Sequence, residues 1–260
     1  MGTGTGTTQF TGTPNFSAFT GTLNIGFNGL AGGFSGKLAA SNIGTSAATI
    51  NVLPGATLFT TGNAATTFLY GGALGEGLGQ IRLTGTNTGN IVLAGVQANN
   101  GSLGGNATES GVVSGNISEL GPVPRTLRLA YGTGGTITLS GTVSANSLTF
   151  GSQSGAIVLS GGTLSLGGTT PTITVNNAAD TISSAITGSA GLTKNGTGTL
   201  ILSGSNSYSG GTTVNAGTLT LSGASTGGGA VMVDGGTMNI QGNLTLGSSQ
   251  FTVANATTGV

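Results

Sequence analysis

The side chains that could carry out chemistry in this 260-residue chain are five carboxylates and five basic groups. The chain has no His and no Cys, which excludes Ser-His-Asp and Cys-His nucleophiles and the soft metal sites. Carboxylate chemistry of the glycosidase kind remains, and it needs two acids about 5–10 Å apart. The acids are Glu76, Glu109, Glu119, Asp180 and Asp234.

The spacing of these acids does not favour a catalytic pair. In a chain wound into coils of about 20 residues, Glu119 and Asp180 lie three coils apart, about 14 Å. Glu109 and Glu119 are half a coil apart and face different ways. Lys194 and Asp234 are two coils apart, about 10 Å, which is too far to pair directly. We therefore predict no catalytic residues and expect isolated, solvated charges.

Other candidate sites have simple structural interpretations. Glu119, Arg125 and Arg128 surround the loop 121–124, and we expect a surface ion pair of small value there. Gly36-Lys37 is followed by Leu38, so it is not a phosphate-binding loop. The calcium-binding nonapeptide GGxGxD is also missing, and we predict neither a metal nor a cofactor. Tyr208 is expected to pack against a coil corner; the alternative is an exposed ring that stacks on a glycan.

The elements that position these groups are short strands. Gly supplies 54 residues and charged residues only 4%, and each interior Gly costs a helix about 1 kcal/mol relative to Ala. Apolar residues instead alternate with Thr, Ser or Asn, as in residues 136–139, 172–175 and 218–221. A period of two indicates strands with one buried and one wet face.

The spacing of repeated tripeptides indicates how these strands are arranged. Gly-Thr-Leu begins at residues 162, 198 and 217, which implies a period of about 19–22 residues or twice that, typical of solenoids. We predict an all-β fold, a parallel β-solenoid with coils of that length. Leu-Ser-Gly begins at four positions whose leucines we expect to lie in one inward line, namely Leu139, Leu159, Leu202 and Leu221.

The chain divides by regularity. We predict an extended Gly/Thr-rich segment over 1–20 and a continuous solenoid over 21–260, irregular to about 126 and regular over 127–260. Seven of the nine Phe lie before residue 70, which suggests wider coils, or a cap or docking surface. Residue 1 begins no recognisable signal peptide, so we expect a processed chain or a fragment of a longer protein.

Residues Gly191–Gly223 carry a distinctive motif, beginning Gly-Leu-Thr-Lys-Asn-Gly-Thr-Gly-Thr-Leu and continuing through Tyr208-Ser209-Gly210-Gly211 to Gly217-Thr218-Leu219. This stretch resembles the autotransporter-associated β-strand repeat of large bacterial surface proteins. The resemblance is looser over roughly 127–253. It implies a right-handed parallel β-helix passenger that is exported to or beyond the outer membrane. It brings no catalytic residues with it.

These features together predict a structural protein of the bacterial cell surface or exterior, acting as an adhesin stalk or a self-assembling filament subunit. Its expected partners are other copies of itself or further repeats of a longer chain. A net charge of zero argues against nucleic acid, and no apolar run could insert in a membrane. The alternatives are a module binding host or matrix glycans, a polysaccharide-degrading β-helix enzyme, and ice binding by outward Thr rows.

Overall fold

A computed structural model describes residues 15–26, 37–71, 80–95, 99–104, 111–113, 117–119, 126–129, 135–151, 155–246 and 250–254. All regular elements in these ranges are β-strands. In chain order they are β1 Asn15–Phe16, β2 Thr22–Ile25, β3 Lys37–Ala40, β4 Asn42–Ile43, β5 Thr49–Val52, β6 Thr57–Asn63, β7 Thr66–Gly71, β8 Gln80–Asn87, β9 Ile91–Gly95, β10 Asn99–Gly104, β11 Gly111–Val113, β12 Ile117–Glu119, β13 Thr126–Leu129, β14 Gly135–Ala145, β15 Ser147–Phe150, β16 Ile157–Leu166, β17 Thr172–Val175, β18 Ala179–Ile182, β19 Ala185–Thr187, β20 Leu192–Asn195, β21 Thr199–Leu202, β22 Thr212–Val214, β23 Thr218–Leu221, β24 Ser225–Gly227, β25 Val231–Asp234, β26 Thr237–Ile240, β27 Leu244–Leu246 and β28 Phe251–Ala254.

Strands from successive coils pair in parallel and form three faces. The first face runs through β3, β6, β8, β10, β13, β15, β17, β20, β22, β25 and β28. The second face includes β14, β16, β18, β21, β23 and β26. The third face holds β2, β5, β7, β9 and β12. In the later coils, β19 pairs with the C-terminal part of β16, and β24 pairs with β27. The prediction of an all-β parallel solenoid is confirmed.

Coil length is regular in the C-terminal part and variable before it. From Thr172 onward, register partners on the first face are 19 to 21 residues apart. Near the other end, Thr49 pairs with Thr22, 27 residues before it, and with Thr66, 17 residues after it. The predicted domain boundaries stay a prediction. Residues 1–14 of the expected N-terminal segment lie outside the described residues, whereas Asn15 pairs with Asn42.

The core consists of columns, by which we mean side chains stacked through register partners in successive coils. On the second face, Leu159, Leu202 and Leu221 lie in one column with Ile137 and Ile182. All five side chains are buried. The alternation of apolar and hydroxyl residues produces this column directly, because every second side chain of a strand points inward.

The expected place of Leu139 in that column is wrong. Leu139 pairs with Gly161, and its neighbour Ile137 is the partner of Leu159. Leu139 is buried beneath the bend Gly161–Gly162, where a Cβ on Gly162 would lie 3.0 Å from the Leu139 Cβ. The register also slips between Leu139 and Thr142. Gly161 and Gly162 therefore leave space for the Leu139 side chain, whose register differs by two residues from that of the other Leu-Ser-Gly leucines.

Candidate functional site

Lys194 lies inside the core rather than in solvent. It occupies a column of the first face between Ile173 and Val214, and its side chain is fully buried. Its ammonium group donates hydrogen bonds to the carbonyls of Asn195 at 2.8 Å, Gly196 at 2.9 Å and Ala216 at 3.2 Å. The first two belong to the corner after β20 and the third to the corner of the next coil. Burial lowers the pKa of Lys194 to about 8.

Asp180 is the second buried charged residue. It lies in β18, pairs with Leu200, and is only 1% exposed. Its Oδ1 accepts hydrogen bonds from the Ile157 backbone N–H and the Asn177 amide, each at 2.8 Å. Its Oδ2 has no hydrogen-bond partner. Burial raises the pKa of Asp180, and the bonds from Asn177 and Ile157 oppose that rise.

The expectation of solvated charges is therefore wrong for Lys194 and Asp180. The sequence does hold a signal for both. Lys194 has the same parity as buried Leu192, and Asp180 has the same parity as buried Ile182. In a strand with period two, that parity directs a side chain inward whatever its type.

The described carboxylates do not assemble into a catalytic pair. Asp180 lies on the second face, and its side chain is buried in the core. Asp234 lies on the first face, in β25, where it follows the buried Val233. The backbone of Glu119 ends β12 opposite Leu93. The described part of the chain does not include Glu76, Glu109 and Arg125, nor the side chains of Glu119 and Arg128. Within the described ranges, no group of three or more acidic, His or Cys residues could hold a metal ion.

Buried amides fasten the corners of the coil. Asn206 is 2% exposed; its Oδ1 accepts from the Ile186 N–H at 3.1 Å, and its Nδ2 donates to the Gly204 carbonyl at 3.0 Å. In the irregular part, buried Asn63 donates to the Asn87 side chain of the next coil at 2.6 Å. The alternating pattern does not identify these residues, although Asn206 stands where that pattern breaks.

Tyr208 packs as expected at a coil corner. Its ring belongs to the buried core, and its hydroxyl lies 2.8 Å from the Thr212 hydroxyl. Burial raises the pKa of Tyr208, which the bond to Thr212 partly offsets. The alternative of an exposed, glycan-stacking Tyr208 is wrong.

The outward Thr pairs do not form one array. Thr172 and Thr174 lie on the first face, whereas Thr136 and Thr220 lie on the second. On the second face the column that contains Thr136 continues through Val158, Thr181 and Ile201 before it reaches Thr220. Aliphatic side chains therefore interrupt the regular hydroxyl lattice that ice binding would need.

Apolar side chains lie at two surfaces of the described residues, where they are exposed at the first and partly buried at the second. At the C-terminal end, the inward columns finish in Ile240, Phe251 and Val253, which are 47%, 46% and 55% exposed. On the third face, Phe68 and Tyr70 form an aromatic pair whose ring centroids are 6.3 Å apart. No helix in the described ranges has the length and apolar character to cross a membrane.

Comparisons with known proteins agree with the resemblance found in the sequence. Residues 192–221 and 215–240 match the passenger-associated-transport-repeat family. A 71-residue stretch is 45% identical to the adhesin BmaC autotransporter of Brucella suis biovar 1 (strain 1330). That stretch is 27% of this chain, and it spans about 2% of the length of the relative. No solved structure matches the chain.

These matches confirm an autotransporter passenger repeat, which both comparisons and the motif over 191–223 support. They also support a location at the outer-membrane cell surface or outside the cell. The regular coils β20 to β26 contain the matched residues, so the buried Lys194 and Asn206 belong to the repeat itself.

Proposed function

We propose that this chain is a non-enzymatic stalk segment in the passenger of a bacterial autotransporter adhesin. Its role is to hold binding surfaces away from the cell. The observation that supports this proposal is the continuous stack of parallel coils around unbroken columns, of which Ile137, Leu159, Ile182, Leu202 and Leu221 form one. In such a stack each coil is stabilised by its neighbours, so length can grow without a change of fold.

The charged groups of the regular part support a structural role. Lys194 and Asp180 are buried and satisfy backbone groups, so neither is presented to a substrate. A catalytic acid would need a partner carboxylate within reach and access for its substrate. Because both groups bind the backbone inside the core, they favour a structural stalk over an enzyme.

The partner that we propose is a further coil, supplied by another copy or by further repeats of a longer chain. The edge of β28, which no described strand covers, and the exposed Ile240, Phe251 and Val253 support this, because a coil stacked on them would continue three existing columns. Unpaired strand edges with apolar side chains readily pair with another strand.

Export of the chain as a passenger tests the proposal. The chain would be placed between an epitope tag and a heterologous outer-membrane translocator in a Gram-negative host. We expect the tag to be stained on intact cells and removed by external protease. Negative-stain electron microscopy of the purified chain should show rods of uniform width. Tag retention inside the cell, or compact round particles, would contradict the proposal.

A polysaccharide-degrading activity would also contradict it. The assay is release of reducing or unsaturated ends from a panel of acidic glycans. Activity that is present in the wild-type chain and lost on Asp180→Asn or Glu119→Gln would assign catalysis to those carboxylates. We expect no such activity.

A further inference from the structure

The outward side of the third face carries two aromatic rings side by side. Phe68 and Tyr70 alternate in β7 with Thr67 and Leu69, which are completely buried, so both rings point away from the core. The rings stack with an angle of 29° between their planes and are only half-buried. An aromatic ring gains the most free energy when its whole surface is removed from water. The part of these two rings that remains in water could therefore gain free energy by contact with a ligand.

Uncharged polar groups lie next to this pair. Phe68 is the register partner of Asn51 in the preceding coil, and Asn51 is the partner of Asn24. The Asn51 amide donates a hydrogen bond of 2.7 Å to the Asn24 side chain, which fixes the orientation of both amides. Thr66 and Thr49 form the adjacent column of hydroxyls. The surface thus combines two rings with amide and hydroxyl groups, and none of these side chains is charged.

This combination of groups suits a neutral sugar. One side of a pyranose ring presents C–H bonds, which carry partial positive charge and are attracted to the negative face of an aromatic ring. Its hydroxyl groups lie around the edge, where they exchange hydrogen bonds with amides and hydroxyls. An acidic sugar would instead require a cationic partner, such as an Arg fork, for its carboxylate.

We propose that Phe68, Tyr70 and Asn51 form a binding platform for a neutral oligosaccharide on the side wall of the solenoid. This goes beyond the stalk function, because it assigns recognition to the stalk itself. The platform depends only on the coils that contain β5 and β7, and it depends on the proposed surface location only for its biological role.

The experiment is a binding measurement with the purified chain. An array of neutral oligosaccharides (gluco-, galacto-, manno- and N-acetylglucosamine series) with acidic oligogalacturonate as a comparison would identify the ligand. Calorimetry would then give its affinity. We expect Phe68→Ala and Tyr70→Ala each to weaken binding by about threefold to tenfold, the loss of one stacked ring. Tyr70→Phe keeps the ring and should retain binding.

Met232→Ala is the matched control, because Met232 is an exposed apolar residue in an outward column of the first face, away from β7. It should bind as the wild type does, and the circular dichroism spectra of all variants should agree. The proposal is overturned if the wild type binds no neutral oligosaccharide, or if binding survives both ring deletions. It is also overturned if Phe68→Ala abolishes self-association instead, which would make the platform a contact between copies. Failure of export leaves this measurement unaffected, so the two proposals fail separately.

Discussion

At the scale of single residues, Lys194 replaces an aliphatic side chain in a column of aliphatic side chains. Its neighbours Ile173 and Val214 have no polar atoms to offer it, and its ammonium group reaches past them to three carbonyls. The bond to Ala216 joins two consecutive coils at their corner. A buried cation with three acceptors fixes the register of those coils, since a slip would leave all three unpaired.

Replacement of Lys194 tests this role. Lys194→Met keeps the length of the side chain and removes the donors, so we expect a loss of about 1–3 kcal/mol in the free energy of unfolding at pH 7. The measurement is urea denaturation followed by circular dichroism. Lys37→Met, which removes the other lysine, is the control. An equal loss in both variants would contradict the role of Lys194.

The pH dependence of stability follows from the same group. The pKa of Lys194 is about 8 in the folded state and near 10.5 in the unfolded chain. Between these values the unfolded chain binds more protons, so stability rises with pH. We expect a rise of about 1–2 kcal/mol between pH 8 and 9.5 in the wild type and in Lys37→Met, and none in Lys194→Met. A flat profile in all three would show that Lys194 is solvated.

Asp180 should give the opposite dependence at acid pH. Its pKa is raised in the folded state, so the folded chain holds the proton more tightly and stability falls as pH rises above about 4. Asp180→Asn keeps an oxygen for the Ile157 N–H and removes the titration. We expect this variant to be more stable than the wild type at pH 7 and to lose the decline. Asp234→Asn is the control, and a variant that is less stable than the wild type would contradict the prediction.

At the scale of elements, corners determine how tightly the coils stack. Gly217 has a φ of 63° and follows β22 at a corner. A Cβ there would lie 2.4 Å from the Gly198 carbonyl oxygen and 2.6 Å from that of Gly196. The corner therefore needs glycine for its backbone conformation and also for its contact with the preceding coil.

A pair of alanine substitutions separates these two needs. Gly141 has a φ of 85°, and a Cβ there would meet nothing within 4 Å. We expect Gly141→Ala to cost about 1–2 kcal/mol, the conformational term alone. Gly217→Ala should cost about 3 kcal/mol or more, because the coils must also move apart. Equal costs, measured by the same denaturation, would show that the corner relaxes freely.

The elements also show what the sequence could predict. Strands, their parallel stacking and the inward column of Leu159, Leu202 and Leu221 all follow from alternation and period. The position of Leu139 does not, because its register depends on a bend at Gly161–Gly162 in the next coil. Likewise, Thr66 to Tyr70 contains a run of apolar side chains whose parity is ambiguous. The outward direction of Phe68 and Tyr70 is set by the partners of Leu69, which only the fold reveals.

At the scale of the whole molecule, the C-terminal end differs from the side walls. Ile240 and Val253 continue inward columns and are exposed because no further coil covers them among the described residues. Met232 is also exposed, at 37%, but it lies in an outward column of the first face with Thr213. Substitutions at Ile240 or Val253 and at Met232 can therefore test association through the C-terminal end and through the side of the solenoid separately.

Association through this end should be sensitive to charge. We expect the wild-type chain to associate with increasing concentration, and Ile240→Lys or Val253→Lys to reduce that association at least several-fold, because a buried lysine lacks a partner there. Met232→Lys should associate as the wild type does. The measurement is sedimentation velocity over a range of concentrations. A wild-type chain that stays monomeric throughout would contradict pairing between copies.

The direction of the bonds between coils has a mechanical consequence. From β17 to β26 the strand pairs join one coil to the next, so their hydrogen bonds lie along the long axis of the stack. A tensile load on the two ends of that region opens one layer at a time, and each layer of about 20 residues releases roughly 65 Å of extended polypeptide. In the stalk role that we propose, the passenger would lengthen in steps under the drag of flowing liquid, which would spare the attachment at its tip the peak force.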